Sequence, residues 1–281
     1  MGLGSSRRDA PVFSVHGRLY RILDTIGQGS EATVYRCEDQ NAVQYAVKVF
    51  YFSRYSPVDL RQRIPNFKKE ANLLRLLSTR SRHFVHLIDY EYKPQENIGY
   101  MIMELGDGSL RKNLSGVPLD DPIRRSYWRQ IVTILKDLHD MRVVHADIKP
   151  DNLILVNNVL KVTDLGLAFR VASPRQTVRR TGVRGTLDYM APEVFSHQTS
   201  HKSDVWSAGI ILYEMTYGRP PYYAIVDRNQ KVMAISSMAP ISFPPVRDRA
   251  LFDCMRRSLS ANPNLRPSAQ QLLGHPYTRM F

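Results

Sequence analysis

Residues 143–155, VVHADIKPDNLIL, constrain this chain more than any other stretch. Asp147, Lys149 and Asn152 fall within six residues, between the apolar runs Val143-Val144 and Leu153-Ile154-Leu155. A polar cluster between two apolar runs suggests a loop pinned between buried strands. An acid, a base and an amide held that closely form a chemical toolkit.

The rest of the chain supplies a frame for that loop. From Arg18 to Phe52 the pattern is strand-like: RLYRILDTIG, ATVYRCED and YAVKVFYF, broken by Gly27, Gly29 and the polar DQNAVQ turn. NFKKEANLLRLLST reads as a helix, with Phe67, Leu73, Leu74 and Leu77 along one side. FVHLIDYEY and YMIMEL are two further strands. After Gly106 the pattern turns helical. DPIRRSYWRQIVTILKDLHDM opens with Asp121 as N-cap and Pro122 as first helical residue. SDVWSAGIILYEMTYG reads as a buried helix starting at Ser203 or Asp204 and ending near Gly218. Residues 1 to about 16 carry no such pattern and are expected to be a flexible tail.

Composition narrows the class. With 281 residues, 43% hydrophobic and 23% charged, the chain has ample core and is not a disordered polymer. Its two cysteines, Cys37 and Cys254, are too few for a disulfide framework and suit a reducing, intracellular compartment. No apolar run approaches the roughly 20 residues a membrane span needs, and AGIILYEM is about the longest. The net charge of +13 favours acidic partners without choosing among them. No aromatic-interleaved basic patch points to a specific nucleic acid. Met1-Gly2 with Ser6 fits the N-myristoylation pattern, and Arg7 and Arg8 could add weak pull toward anionic lipid.

Several short motifs could carry chemistry, and each has an ordinary reading too. IGQGSEATVY is a glycine-rich turn: Gly27 and Gly29 would let the backbone approach phosphates, or simply close a hairpin. Lys48, inside YAVKVF, must snorkel or find an anion, unless it faces water on an edge strand. Glu70 on the following helix is a candidate partner. Asp164, in KVTDLGLAF, is an oxygen ligand suited to a hard cation, or one residue of a surface turn.

Taken together these motifs, followed by GTLDYMAPE, HKSDVWSAGIILYEMTYG and Arg266 in NPNLRPS, resemble a eukaryotic protein kinase from about Tyr20 to the C-terminus. The resemblance implies an α+β bilobal fold. A flexible tail (1–17) would precede a kinase domain (18–281) with a β-rich N-lobe (about 18–103), a hinge (104–107) and a mainly helical C-lobe (108–281). It implies ATP and Mg2+ as cofactors. Asp147 would take or orient the acceptor hydroxyl proton, Lys149 would neutralise the transferring phosphate, and Asn152 and Asp164 would hold metal. Lys48, paired with Glu70, would hold the α- and β-phosphates under Gly27, Gln28 and Gly29. Ile26, Val34 and Ala46 would roof the adenine and Ile154 would floor it. Met103 would be the gatekeeper, with Glu104, Leu105 and Gly106 as the hinge. Glu193 and Arg266 would form a buried ion pair, and Asp204 would brace the catalytic loop. Lys149 and Thr186 resemble serine/threonine enzymes more than tyrosine kinases.

Within that family, LIDYEY, RRSYWRQIV, LYEMTYGRPPY, ISFP and LLGHPY resemble the monopolar-spindle kinases, which are dual-specificity enzymes of the spindle checkpoint. That implies protein substrates, and a cytoplasmic, nuclear or kinetochore location. Members usually carry Asp-Phe-Gly and Pro-Pro-Glu, where this chain has Leu165 and Ala191, and a long N-terminal docking region. Ala146 replaces the usual arginine of His-Arg-Asp, so the cation that would clamp an activation-loop phosphate is gone. Arg170, Arg175, Arg179, Arg180 and Arg184 follow within the activation segment, with no acid among them. They could hold phosphate on Ser173, Thr177 or Thr181, attract acidic substrates, or form a solvated basic loop. The expectation is an active Ser/Thr or dual-specificity kinase. A pseudokinase scaffold is the alternative, supported only by Ala32, Ala146 and Leu165. A small-molecule kinase is a third reading, against which the Ala191-Pro192-Glu193 and Arg266 constellation argues. Oligomeric state is not legible.

Overall fold

A computed structural model describes residues 11–29, 31–173 and 175–279. Gly2, and with it the lipid-anchor expectation, lies outside the described residues. The chain divides between Asp107 and Gly108 into two units, the first strand-rich and the second mainly helical, so the fold class is α+β as expected.

The first unit is built on a six-stranded sheet in the order β1-β2-β3-β4-β6-β5. The strands are β1 (Val12–Val15), β2 (Arg18–Gln28), β3 (Ala32–Asp39), β4 (Gln44–Tyr51), β5 (Leu87–Lys93) and β6 (Ile98–Glu104). Between β4 and β5 runs helix α1 (Pro57–Ser78). The expected tail is corrected here: residues 12–15 form a strand, paired antiparallel from Val12↔Arg21 to Val15↔Arg18. The turn is tight because His16 and Gly17 both take positive φ, 44° and 82°. Phe13 then stacks on Tyr100 at 4.7 Å, and Val15 is 1% exposed. The signal was the alternation in VFSV ahead of His-Gly.

Side chains alternate across a strand. Val47 and Val49 of β4 join Val15, Tyr20, Cys37, Tyr100 and Ile102 in one buried cluster. The intervening Ala46, Lys48 and Phe50 therefore face the other way, and Phe50 meets Phe67 of α1 edge-on at 5.0 Å. Helix α1 was expected to begin after Pro65. It begins at Pro57, where Ser56 caps it by accepting from the Asp59 amide at 3.2 Å, and it runs on through Pro65. Its buried face is Phe67, Glu70, Ala71, Leu73, Leu74 and Leu77. Each such leucine contributes roughly 1.5–3 kcal/mol by burial.

The second unit opens with β7 (Gly108–Ser109), α2 (Leu110–Asn113) and α3 (Asp121–Asp140). Short strands follow: β8 (Val143–Val144), β9 (Leu153–Val156), β10 (Val159–Val162), β11 (Phe169–Arg170), β12 (Val178–Arg179) and β13 (Gln198–Thr199). They pair as β10-β9-β7, β11-β8 and β12-β13. Helices α4 (His201–Tyr217), α5 (Arg228–Ser236), α6 (Arg249–Ser258), α7 (Ala269–Leu273) and α8 (Pro276–Arg279) complete it. Two helix starts differ from expectation. The N-cap of α3 is Asp120, so Asp121 is the first helical residue. Helix α4 begins at His201, because Ser200 and Ser203 form a reciprocal capping box across the first turn. Gly218 ends α4 at φ 81°, and a Cβ there would lie 2.5 Å from the Gly116 carbonyl oxygen.

Helix α4 is buried along most of its length, and α3 buries Trp128, Ile131, Val132, Ile134, Leu135 and Leu138. The Trp128 indole N–H donates to Thr278 Oγ1 at 2.9 Å, which fixes α8 against α3. Arg266, 1% exposed, makes a two-pronged pair with Glu193 at 2.7 and 2.8 Å, and Ser203 Oγ donates to the same carboxylate.

Candidate active site

In the first unit, adjacent strands put the expected nucleotide residues in register. Val34 of β3 stands opposite Gly27 of β2 and Lys48 of β4; Ala46 stands opposite Met103 of β6. The glycine turn closes with the Gly29 amide donating to the Ala32 carbonyl at 2.9 Å, beyond Gln28 at the end of β2. Ile26 is 48% exposed, while Ala46 and Met103 are buried. The Glu104 amide donates to the His86 carbonyl, and the Glu104 carboxylate accepts from the His86 amide at 2.7 Å. That leads into Leu105 and Gly106, both half-buried. Lys48 Nζ donates to Glu70 Oε1 at 2.7 Å, with side-chain exposures of 12% and 7%. The lysine therefore does not face water from an edge strand. Its head is held by a carboxylate from α1 and lies 5.1 Å from the Phe50 ring centroid.

In the second unit, strands β8 and β9 do pin the central loop from both sides. Asp147 is the hub. Its Oδ1 accepts from the Thr186 amide at 2.9 Å, and its Oδ2 accepts from Asn152 Nδ2 at 3.1 Å. Lys149 Nζ lies 2.9 Å from Asp147 Oδ2 and donates to Thr186 Oγ1 at 2.7 Å. Asn152 spends its amide nitrogen on Asp147, on the carbonyl at 3.0 Å as well as the carboxylate. Its side-chain oxygen is left as the acceptor. The Thr163 amide donates to the Asn152 carbonyl at 3.0 Å, so Asp164 leaves β10 next to this loop. Asp164 takes φ 56° and accepts from the Gly166 amide at 3.2 Å, while Leu165 is 2% exposed as an apolar plug. Ile154 sits on β9, opposite Lys161 and Ser109.

Asp204 holds the loop from behind. Its two oxygens accept from the His145 and Ala146 amides, each at 2.9 Å. Full burial by itself would raise its pKa, but the His139 and His145 rings and the amide bond outweigh that and keep the carboxyl below its ordinary range. His139 Nε2 stands 3.9 Å away, an electrostatic neighbour rather than a hydrogen-bond donor. Ala146 is bent to φ 65° by this clamp.

Other contributors were missed from sequence. Gly185, at φ 122°, passes so close that a Cβ would lie 3.2 Å from the Ala146 carbonyl oxygen and 3.4 Å from Asp147 Oδ1. Only glycine brings the Thr186 amide onto the carboxylate. His145 Nδ1 accepts from the Asp147 amide at 3.2 Å. Arg111 donates to Glu214 Oε1 at 2.6 Å and to the Tyr189 hydroxyl, which donates to Glu214 Oε2 at 2.6 Å. Burial, then Glu214, push the Tyr189 phenol far above its usual range, so it stays a donor. A single acid in the apolar run of α4 was the available signal for Glu214.

What these groups can do follows from their chemistry. A carboxylate held by one amide, one lysine and one asparagine is fixed in place and remains a proton acceptor. A lysine bridging it to a hydroxyl offers positive charge at the same point. Asn152 and Asp164 offer oxygen atoms, the donor type a hard divalent cation takes. Among the described residues no cluster of three or more His, Cys, Asp or Glu side chains is placed to hold a metal, so any cation would complete its shell with water or substrate oxygens. No helix among them is long and apolar enough to cross a membrane.

Residues 20–278 match the protein kinase domain model. Dual specificity protein kinase TTK of Mus musculus is 33% identical over 95% of this chain and 32% of its own length. Dual specificity protein kinase Ttk of Danio rerio is 32% identical over 95% and 28%, and serine/threonine-protein kinase MPS1 of Saccharomyces cerevisiae 30% over 96% and 38%. The chain thus spans about a third of the length of these relatives. It belongs to the protein kinase family.

Proposed function

We propose that the chain transfers the γ-phosphoryl group of ATP to serine and threonine, and also tyrosine, hydroxyls of proteins, as a kinase of the mitotic, spindle-checkpoint type. Family membership implies ATP, a divalent metal and protein substrates; magnesium is the specific proposal. The dual-specificity names of two relatives support the acceptor range. A cytoplasmic and nuclear location with spindle association belongs to the same proposal.

The observation that carries this reading is the fixed geometry around Asp147, with Lys149 and Thr186 at 2.9 Å or less. Asp147 orients the acceptor hydroxyl and takes its proton as the oxygen–phosphorus bond forms. Lys149 offsets charge on the transferring group. Thr186 holds Lys149 through its hydroxyl and Asp147 through its amide. Lys48, set by Glu70, grips the α- and β-phosphates, with Gly27, Gln28 and Gly29 over them and Ile26, Val34, Ala46 and Met103 against the base. Glu104, Leu105 and Gly106 present backbone groups to its edge. Asn152 and Asp164 would hold magnesium, which when bound neutralises phosphate charge.

The test is a panel of matched peptides bearing serine, threonine or tyrosine in acidic and neutral contexts, incubated with Mg–ATP and analysed by mass spectrometry. Phosphate on serine and threonine supports the reading, and phosphate on tyrosine extends it. A panel left unmodified, with the chain itself unmodified, contradicts it.

A further inference from the structure

The positive charge of this chain is unevenly spread, and helix α1 carries a dense share of it. From Arg54 to Arg82 stand eight arginines and lysines against two acids, Asp59 and Glu70. Glu70 is buried and paired with Lys48, so it offers nothing to the surface. Arg61, Lys68 and Arg75 recur every seven residues, close to two helical turns. They therefore line up along one side of α1, with a drift of about 20° per step. All three are exposed, as are Lys69 beside them and Arg80 and Arg82 just beyond the helix end. The stripe lies opposite the face that buries Phe67, Glu70, Leu74 and Leu77.

A solvated helix face gains from acids placed four residues from its bases, where the two pair. Four residues after Arg61, Lys68, Lys69 and Arg75 come Pro65, Asn72, Leu73 and Thr79, none of them acidic. Among the described residues Arg75 meets one carboxylate, Asp89 at 3.9 Å, while Arg61, Lys68, Lys69, Arg80 and Arg82 have none within ion-pair distance. Arg80 and Arg82 answer the negative end of the helix dipole, but Arg61 and the two lysines lie outside the last turn and gain nothing from it. A row of like charges costs free energy until an anion lies across it.

The surroundings select the anion. The apolar side of α1 is spent on the first unit's own core, so the helix has no apolar face to insert into a membrane interface. The rings beside the stripe already carry guanidinium groups: Arg63 lies 3.7 Å from the Tyr55 centroid and Arg75 lies 5.0 Å from that of Tyr90. Neither is the bare stacking platform that single-stranded nucleic acid uses. Cations at intervals of about 10.5 Å match carboxylates borne on every seventh residue of a helix or every third of an extended chain. We propose that Arg61, Lys68, Lys69 and Arg75 form a docking surface for an aspartate- and glutamate-rich segment of a partner protein. The surface stands on the helix whose buried side sets Glu70 against Lys48. Docking requires no phosphoryl transfer, so it stands or falls apart from the kinase reading.

The test uses the full chain without nucleotide and a fluorescein-labelled helical peptide of three heptads, with paired glutamates in each. Binding is followed by anisotropy and is expected to weaken as salt is raised. One variant combines Arg61→Gln, Lys68→Gln and Lys69→Gln, at exposed positions where glutamine keeps the helix propensity of the residues it replaces. It should bind about tenfold more weakly, three exposed ion pairs being lost. A second variant combines Arg247→Gln, Arg249→Gln and Arg256→Gln, three exposed arginines near and on α6, and has the same net charge as the first. It should bind as the parent does. Equal losses in the two variants would reduce the effect to net charge and overturn the site. Parent-like binding by the α1 variant, or no binding by the parent, would overturn it too. The same titrations with a single-stranded oligonucleotide and with phosphatidylserine vesicles read the alternatives. Tighter binding of either one, lost with Arg61, Lys68 and Lys69, would overturn the protein partner and give the surface to that ligand.

Discussion

Lys149 Nζ stands 2.9 Å from the Asp147 carboxylate and 2.7 Å from the Thr186 hydroxyl, so one ammonium ties the catalytic loop to the activation segment. Thr186→Val should keep the fold and lose that tie. A hydrogen bond to a charged group contributes about 1.5–3 kcal/mol, so kcat should fall roughly tenfold to a hundredfold with little change in KM for ATP. Asp147→Asn should cost more, about 10²–10⁴-fold, the usual worth of general base catalysis. Steady-state kinetics on a serine peptide checks both.

Ala146 occupies the left-handed region at φ 65°, where a Cβ costs roughly 1–2 kcal/mol. Ala146→Gly relieves that strain but gains freedom in the unfolded chain. The expected balance is a stabilisation of about 0.5–1 kcal/mol in denaturant titration. A loss of 1 kcal/mol, the usual penalty for glycine in regular structure, would show that the clamp from Asp204 imposes no strain.

Arg266 and Glu193 are both buried and bond through two parallel contacts. Removing one partner strands a charge. Arg266→Ala should destabilise the second unit by about 3–5 kcal/mol. The conservative Arg266→Lys cannot reproduce the fork and should recover only part of that.

Asp204 sets a pH dependence. Its carboxyl is held below the usual range in the folded state, with burial opposing and His139, His145 and the loop amide prevailing. Its stabilising contribution is therefore complete above the unfolded value of about 3.9 and is lost as pH falls through the lower folded value. Asp204→Asn should cost about 1–3 kcal/mol near neutral pH. The gap between parent and variant should narrow as the pH is lowered toward 3.

Both thiols should be inert in the folded chain. Burial, with Asp39 adding, pushes Cys37 up to about 12. Burial pushes Cys254 higher still. At pH 8 a thiol-exchange reagent should label neither until denaturant is added.

Much of the site was legible because its residues are concentrated in short polar runs between apolar strands. VVHADIKPDNLIL and YAVKVF each disclose a pinned loop or strand by local pattern alone. Longer-range partners were less legible. The need for glycine at position 185 arises from the approach of residues 146 and 147, and the pairing of Arg111 with Glu214 joins α2 to α4. No local period encodes such contacts. Strand β1 was missed for a different reason: it is a short apolar alternation in a polar N-terminal context, stabilised by aromatic neighbours from β2 and β6. The early start of α1 was hidden by Pro65, which marks a helix start more often than it is carried through one.

The most direct measurement is phosphate transfer from Mg–ATP by the purified chain, with Asp147→Asn and Asp164→Ala prepared alongside and nucleotide binding measured on all three. The account predicts incorporation by the parent, losses of about a hundredfold or more in both variants, and ATP binding retained by Asp147→Asn. Tight magnesium-dependent ATP binding by a parent that transfers no phosphate to itself or to any acceptor would contradict it, and would make the chain a nucleotide-binding scaffold.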